Sequence, residues 1–302
     1  MRWEAKGSIW PLTDPDTGLF LMPGIRGLGT VRHERHSTSS PAAPGSTTEG
    51  VSFLDREAFW PVCIYNDNGS VDWMLRDRAF WSTMDPLSPG TWVVTLPDGS
   101  ERSLRLRFQD DGDHVSEYDP VRRGWEKYGI KLLAEQPFWE GEPVVRSWKN
   151  RVYEPFFEPD GPQIVNIASG SDASTAVVDN PGDVESYARW FIDGDTATAA
   201  VGVGGITVDV PFSIAAWECL VIESDPDMIG ATLYDVTVAG AELKPSERIV
   251  GEHLINPVDM TTALGEADFA PIPAGESVEL SLTINGSGAV EMLLPTRYRR
   301  AW

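Results

Sequence analysis

The segment 91–108 constrains the fold more than any other stretch of the chain. Two β-prone runs, TWVVTL at 91–96 and RSLRLRF at 102–108, flank Pro97-Asp98-Gly99-Ser100. Such a tetrapeptide offers a fixed φ, a side chain that can bond its own backbone, and a residue free to adopt positive φ. Between β-prone runs it predicts an antiparallel hairpin, which needs a larger sheet around it to be stable. In the second run Leu104, Leu106 and Phe108 alternate with Arg105 and Arg107. The two-residue period sends the apolar set to a core and leaves Arg102, Arg105 and Arg107 facing solvent or a partner.

The same pattern recurs along the chain. Segment 277–284 alternates Val278, Leu280, Leu282 and Ile284 with Glu279, Ser281 and Thr283, the signature of a sheet with one buried face. Runs 163–167, 175–178, 186–192, 205–210 and 218–223 also read as strands. Turns at Asn180-Pro181-Gly182-Asp183, Ile192-Asp193-Gly194-Asp195 and Pro273-Ala274-Gly275-Glu276 separate them. In the first half, AFWPVCIY at 58–65 and YGIKLLA at 128–134 are strands. The second leads into Gln136-Pro137-Phe138-Trp139, whose two rings should cover one end of a sheet. One helix is predicted over 70–81, with Val71, Met74, Leu75 and Arg78 on one face and Pro86 and Pro89 beyond its end. The expected fold is all-β in two domains: an N-terminal β-sandwich or barrel with one short helix, and a C-terminal β-sandwich.

At 302 residues, two cores are favoured over one. The Ser/Thr/Pro-rich segment 37–50 predicts a flexible surface loop, and the Pro- and acid-rich segment 154–162 a linker, dividing domain 1–153 from domain 163–302. Charge divides in the same place. Residues 1–151 carry 18 Lys/Arg against 22 Asp/Glu, net −4, and residues 152–302 carry 6 against 24, net −18. Strongly acidic copies repel one another, so self-association is expected through the first domain. The total of −22 argues against sequence-specific nucleic-acid binding, which draws its affinity from clustered cations. Cys63 and Cys219, one in each half, read as buried thiols. The amino terminus lacks a signal-peptide pattern and no run of 18 apolar residues occurs, so no membrane anchor is expected.

Catalytic chemistry finds little to stand on. Glu185 with Asp193, and Asp110 with Asp113, are pairs expected by accident among 46 acids, and read as surface carboxylates. His33 and His36 lack a third ligand for zinc, and the acidic run 109–114 lacks the ordered ligand spacing of a calcium loop. GVGG at 202–205 is followed by no Lys-Ser/Thr and reads as a turn. The expectation is a protein that is not an enzyme, with no catalytic residues, metal or cofactor.

Two features exceed what a core requires. The end of the chain sets Arg297, Arg299 and Arg300 beside Tyr298 and Trp302 in the acidic half, which suits either an interface or a tail folded back on its own domain. Among the twelve Trp, Trp190 and Trp217, together with Tyr187, could stack on sugar rings.

The ordered segments resemble the distal tail proteins of siphophages, of the minor-tail-protein type found in actinobacteriophages. The similarity is carried by Trp-x-Val-x-x-Pro-Asp-Gly-x-x-Arg at 92–102 and Gln136-Pro137-Phe138-Trp139. Farther on it is carried by Asn-x-Gly-Asp with Trp190 at 180–190, Ile192-Asp193-Gly194, and the terminal Tyr-Arg-x-Ala-Trp at 298–302. The resemblance implies a structural virion component: a homo-hexameric ring joined through its N-terminal domains, linking the tail tube to the baseplate or tail tip. It also implies galectin-like C-terminal sandwiches projecting outward. Implied partners are the major tail tube protein, the tape-measure protein, a baseplate hub or tail-associated lysin, and other minor tail proteins. The implied location is the virion tail tip, after assembly in host cytoplasm. An alternative is a virion-associated carbohydrate-binding sandwich that contributes to host adhesion.

Overall fold

The computed structural model describes residues 1–40, 44–112, 114–149 and 176–302. Contacts divide the chain into two compact units, Met1–Glu142 with Arg297–Trp302, and Pro143–Thr296.

In the first unit, strands β1 (Arg2–Ala5), β2 (Ser8–Pro11), β3 (Leu19–Leu21), β4 (His33–Thr38), β5 (Thr47–Phe53) and β6 (Arg56–Tyr65) precede helix α1 (Ser70–Trp81). Strands β7 (Gly90–Thr95) and β8 (Glu101–Asp110), the one-turn helix α2 (Pro120–Arg123), and strands β9 (Trp125–Ala134) and β10 (Trp139–Glu140) follow. The main sheet runs β2-β1-β7-β8-β9-β6-β3. Its ends approach through Leu21 N–H, which donates to the Leu12 carbonyl at 2.8 Å, so the sheet nearly closes into a barrel. Trp3, Trp60, Trp92 and Trp139 fill the interior. Successive rings meet edge-to-face or tilted at 5.3, 5.1 and 5.1 Å between centroids.

The 91–108 hairpin forms as its turn chemistry dictates. Gly99 takes φ +87°, Asp98 Oδ1 accepts the Ser100 N–H at 2.9 Å, and Leu96 N–H donates to the Ser100 carbonyl at 2.8 Å. Leu104 and Leu106 are buried and Phe108 is partly so. Pro61 sits inside β6 without breaking it. Phe59 and Pro61 face the chain at 22–26, where Pro61 only has to accept, from Met22 N–H at 2.7 Å.

Two expectations change here. Helix α1 spans the predicted residues, but it buries Trp73 and Phe80, while Val71 and Leu75 stay 66% and 57% exposed. Two large rings remove more apolar area than Val and Leu, and the polar group between them is satisfied by Tyr128, whose hydroxyl donates to Asp77 at 2.7 Å. Segment 37–50, expected as a loop, is paired at its two ends, where 37–38 and 47–50 belong to β4 and β5, an exposed antiparallel hairpin with a register shift between His36 and Ser37; residues 39–40 and 44–46 between them are in no strand. Its Thr and Ser residues suit an exposed strand pair as well as a loop.

On the rim of this unit, Arg2 donates to Glu101 through both terminal nitrogens, one bond being 2.7 Å, and holds the Glu101 carboxyl down at about 2. A depressed folded pKa contributes stability that is complete above the ordinary value of 4.5 and is lost as pH falls toward 2. Because the pair is exposed, Glu101→Gln is expected to cost only about 0.5–1 kcal/mol at pH 7. The difference from the parent should vanish by about pH 2 in urea titrations run across that range.

The second unit contains β11 (Val144–Lys149), β12 (Val177–Asp179), β13 (Arg189–Asp193), β14 (Thr196–Val203), β15 (Ile206–Val210), β16 (Glu218–Glu223) and β17 (Gly230–Val236). After the short helix α3 (Val238–Ala241) come β18 (Leu254–Asp259), β19 (Ser277–Gly286) and β20 (Ala289–Leu294). One sheet runs β11-β20-β13-β16-β17-β18 and the other β12-β19-β14-β15. Trp190, Ile192, Leu220, Ile222, Val290 and Met292 from the first pack with Val201, Val203, Val208, Val210 and Leu280 from the second. This is a two-sheet sandwich. The GVGG segment is its β14–β15 hairpin turn, with Gly204 and Gly205 at φ +61° and +85°, as a two-residue type I′ turn requires.

The unit boundary differs from that expected at residue 153. Strand β11 pairs along its whole length with β20 and belongs to the second unit, while the last six residues belong to the first. The expected linker 154–162 and strand 163–167 lie outside the described residues. The charge split survives the reassignment. Arg146, Lys149 and Arg151 join the second unit as Arg297, Arg299 and Arg300 leave it, so the units still carry 18 against 22 and 6 against 24, net −4 and −18.

Candidate assembly surfaces

The terminal Arg-aromatic segment folds back, onto the first unit rather than onto the acidic domain that precedes it in sequence. Strand β21 (Arg297–Tyr298) pairs antiparallel with β10, Tyr298 opposite Trp139 and Arg297 opposite Glu140. The Arg102 guanidinium lies 3.7 Å from the Tyr298 ring centroid and donates to the Arg300 carbonyl at 2.8 Å. Ala301 is buried and its N–H donates to the Leu28 carbonyl at 3.0 Å. Arg299 stands over Phe53 and Arg300 over Trp302.

Arg56 ties this segment down. Its side chain is buried and donates to the carbonyls of Pro137 (2.5 Å), Gly27 (2.7 Å), Gly29 (2.6 Å) and Arg299 (2.9 Å). Burial pulls its pKa down to about 10, which leaves it charged at neutral pH. Nothing in the sequence marked it, because an Arg at the head of a strand reads as an edge charge.

The predicted interface residues therefore divide. Arg102, Arg297 and Tyr298 serve the first unit's own packing, and Arg107 donates to the Leu87 carbonyl and to Glu135. Arg105, Arg299, Arg300 and Trp302 are exposed, Trp302 at 56%. Other apolar side chains are exposed on this unit. Val71 and Leu75 share one side of α1, which touches α2 with its half-exposed Val121. Tyr118 and Val115 are exposed just before α2.

The predicted sugar-stacking residues also separate. Trp190 is 2% exposed in the second core, and the cavity beside it, about 10 Å³, holds at most one water. It presents no face to a ligand. Tyr187 is partly buried, and Trp217 is 62% exposed. Asp193 is held by Arg248 in a bidentate pair at 2.5 and 2.9 Å, and Asp110 pairs with Lys131 at 3.0 Å. Asp113 lies outside the described residues. His36 bonds Ser52 and His33 packs on Phe53, both on the exposed β4–β5 hairpin. Cys63 and Cys219 are buried free thiols, and burial pushes both pKa values up.

The fold of this chain is shared with solved phage Dit and baseplate structures. The chain is similar over 97% of both lengths to the SPP1 Dit (gp 19.1) protein, with a TM-score of 0.56 at 13% identity. It is similar to a chain of the activated, Ca-containing phage P2 baseplate over 98% of this chain and 97% of that one, with a TM-score of 0.55 at 10% identity. In sequence it is related to Minor tail protein Gp27 of Mycobacterium phage L5, 24% identical over 203 residues. That alignment spans 63% of this chain and 60% of the relative. No protein-family model matches the chain.

Proposed function

We propose that this chain is a structural component of a long-tailed phage virion, a distal tail protein that forms a ring connecting the tail tube to the baseplate or tail tip. The observation that carries this reading is the shared fold with Dit over nearly the whole of both chains, joined to a sequence relation with a minor tail protein. It is a non-enzymatic role. Copies meet through the near-neutral first unit, and the exposed apolar surface of α1 and α2 is the contact best suited to it. The ring is a homo-hexamer. The second units, galectin-like sandwiches at net −18, stay apart by charge. Partners are the tail tube and tape-measure proteins above, and a hub or tail-associated lysin and other minor tail proteins below.

The test is the mass of the full chain in solution by light scattering, with its detection in purified virions. A ring-sized species is expected at high concentration. Leu75→Glu with Val121→Glu should shift it to monomer without changing the melting temperature, since both side chains are at least half exposed. An exclusively monomeric parent that is absent from virions would sink the proposal. Persistence of the ring in the double variant would exclude only the α1–α2 contact.

A further inference from the structure

Trp217 is in the wrong conformation for its size. It has φ +72°, a region that a bulky side chain occupies at a cost of about 1–3 kcal/mol. The turn Ala215-Ala216-Trp217-Glu218 closes with Glu218 N–H donating to the Ala215 carbonyl at 3.0 Å, which puts Trp217 at the turn's third position, where positive φ favours Gly. The turn is fixed twice more. Glu218 Oε2 accepts the Ala215 N–H at 2.7 Å, and the Trp217 carbonyl accepts Val236 N–H at 2.7 Å. Burial does not offset the strain, because the side chain is 62% exposed. Neither packing nor turn chemistry accounts for Trp here, and a bulky residue held at positive φ by three hydrogen bonds is the kind of backbone outlier that points to a function.

The surroundings indicate what it binds. Glu218 stands opposite Asp235 across β16 and β17, and Asn256 Nδ2, at φ +51° in β18, donates to Asp235 at 2.7 Å. The strand ends beside Trp217 thus present carboxylate and amide groups, which accept from hydroxyls. An aromatic face beside such acceptors suits a pyranose ring, with its apolar C–H face on indole and its hydroxyls at the rim. The net −18 of the unit disfavours phosphate-bearing polymers and anionic lipid surfaces. The geometry points to a saccharide platform at Trp217, flanked by Glu218, Asp235 and Asn256, that takes neutral hexopyranose units. It does not depend on the ring.

The full chain is applied to an array of neutral oligosaccharides of glucose, galactose and mannose, and any bound sugar is titrated by calorimetry against the parent, Trp217→Gly and Trp217→Phe. Trp217→Gly should lose about tenfold or more in affinity while its melting temperature holds or rises, because Gly suits the turn. Trp217→Phe should retain most of the binding. The proposal fails if no oligosaccharide binds the parent or if the Gly variant binds as tightly. It also fails if the Gly variant melts lower, since Trp217 would then be holding the fold.

Discussion

Arg56→Met is expected to destabilise the first unit by about 3–5 kcal/mol, a large part of a typical domain's stability. Met keeps the length and apolar stem of the side chain, so the loss isolates the guanidinium. Four carbonyls from three separate parts of the chain converge on it: Gly27 and Gly29, Pro137, and Arg299. Each buried acceptor left without a donor costs about 1–3 kcal/mol, of which water recovers a part. Arg56→Lys should fall between, because an ammonium has fewer donors and cannot reproduce the planar fork. Urea denaturation measures the loss. Carboxypeptidase digestion measures its location, since releasing Arg299 should expose the last six residues first. A loss under about 1 kcal/mol would mean that the carbonyls find other donors.

Trp92→Ala should lower the same unit's stability by about 3–5 kcal/mol, as expected for a large buried ring whose cavity cannot collapse. Trp92 is fully buried and touches both Trp60 and Trp139, so its removal opens a gap in the middle of the row. Trp92→Phe should cost less than half as much. The Trp92 indole N–H has no hydrogen-bond acceptor among the described residues, so Phe forfeits area but no hydrogen bond. Equal losses for the two variants would overturn the cavity account, because both remove the N–H and only Phe retains a ring. The midpoint and slope of equilibrium unfolding distinguish a lower stability from a changed unfolded state.

Legibility followed the range of the interactions. The 91–108 hairpin, the limits of α1 and the alternation of β19 could be read because each depends on neighbours within a few residues. The face of α1 could not, since Val71/Leu75 and Trp73/Phe80 both satisfy a helical period and only the surrounding strands choose between them. Strands β14, β17, β18 and β20 went unread, and so did β11, whose VVRSWK becomes a strand by lying along β20. Trp190 and Trp217 look alike as letters. One fills the second core and the other stands out from a turn, a difference set by where β13 and β16 pack.

By itself the sequence determined that this is an all-β chain of two parts, with a near-neutral first half and a strongly acidic second, and its ordered motifs resemble those of phage tail proteins. These properties are local or additive: turn chemistry, two-residue alternation and summed charge. Tertiary structure alone decided that the last six residues complete the first unit and that Arg56 holds them there. It also decided that the predicted arginines divide between internal packing and surface. Those outcomes join residues as far apart as Arg56 and Arg299. No local propensity encodes such a contact, which exists only once the barrel has brought its carbonyls together.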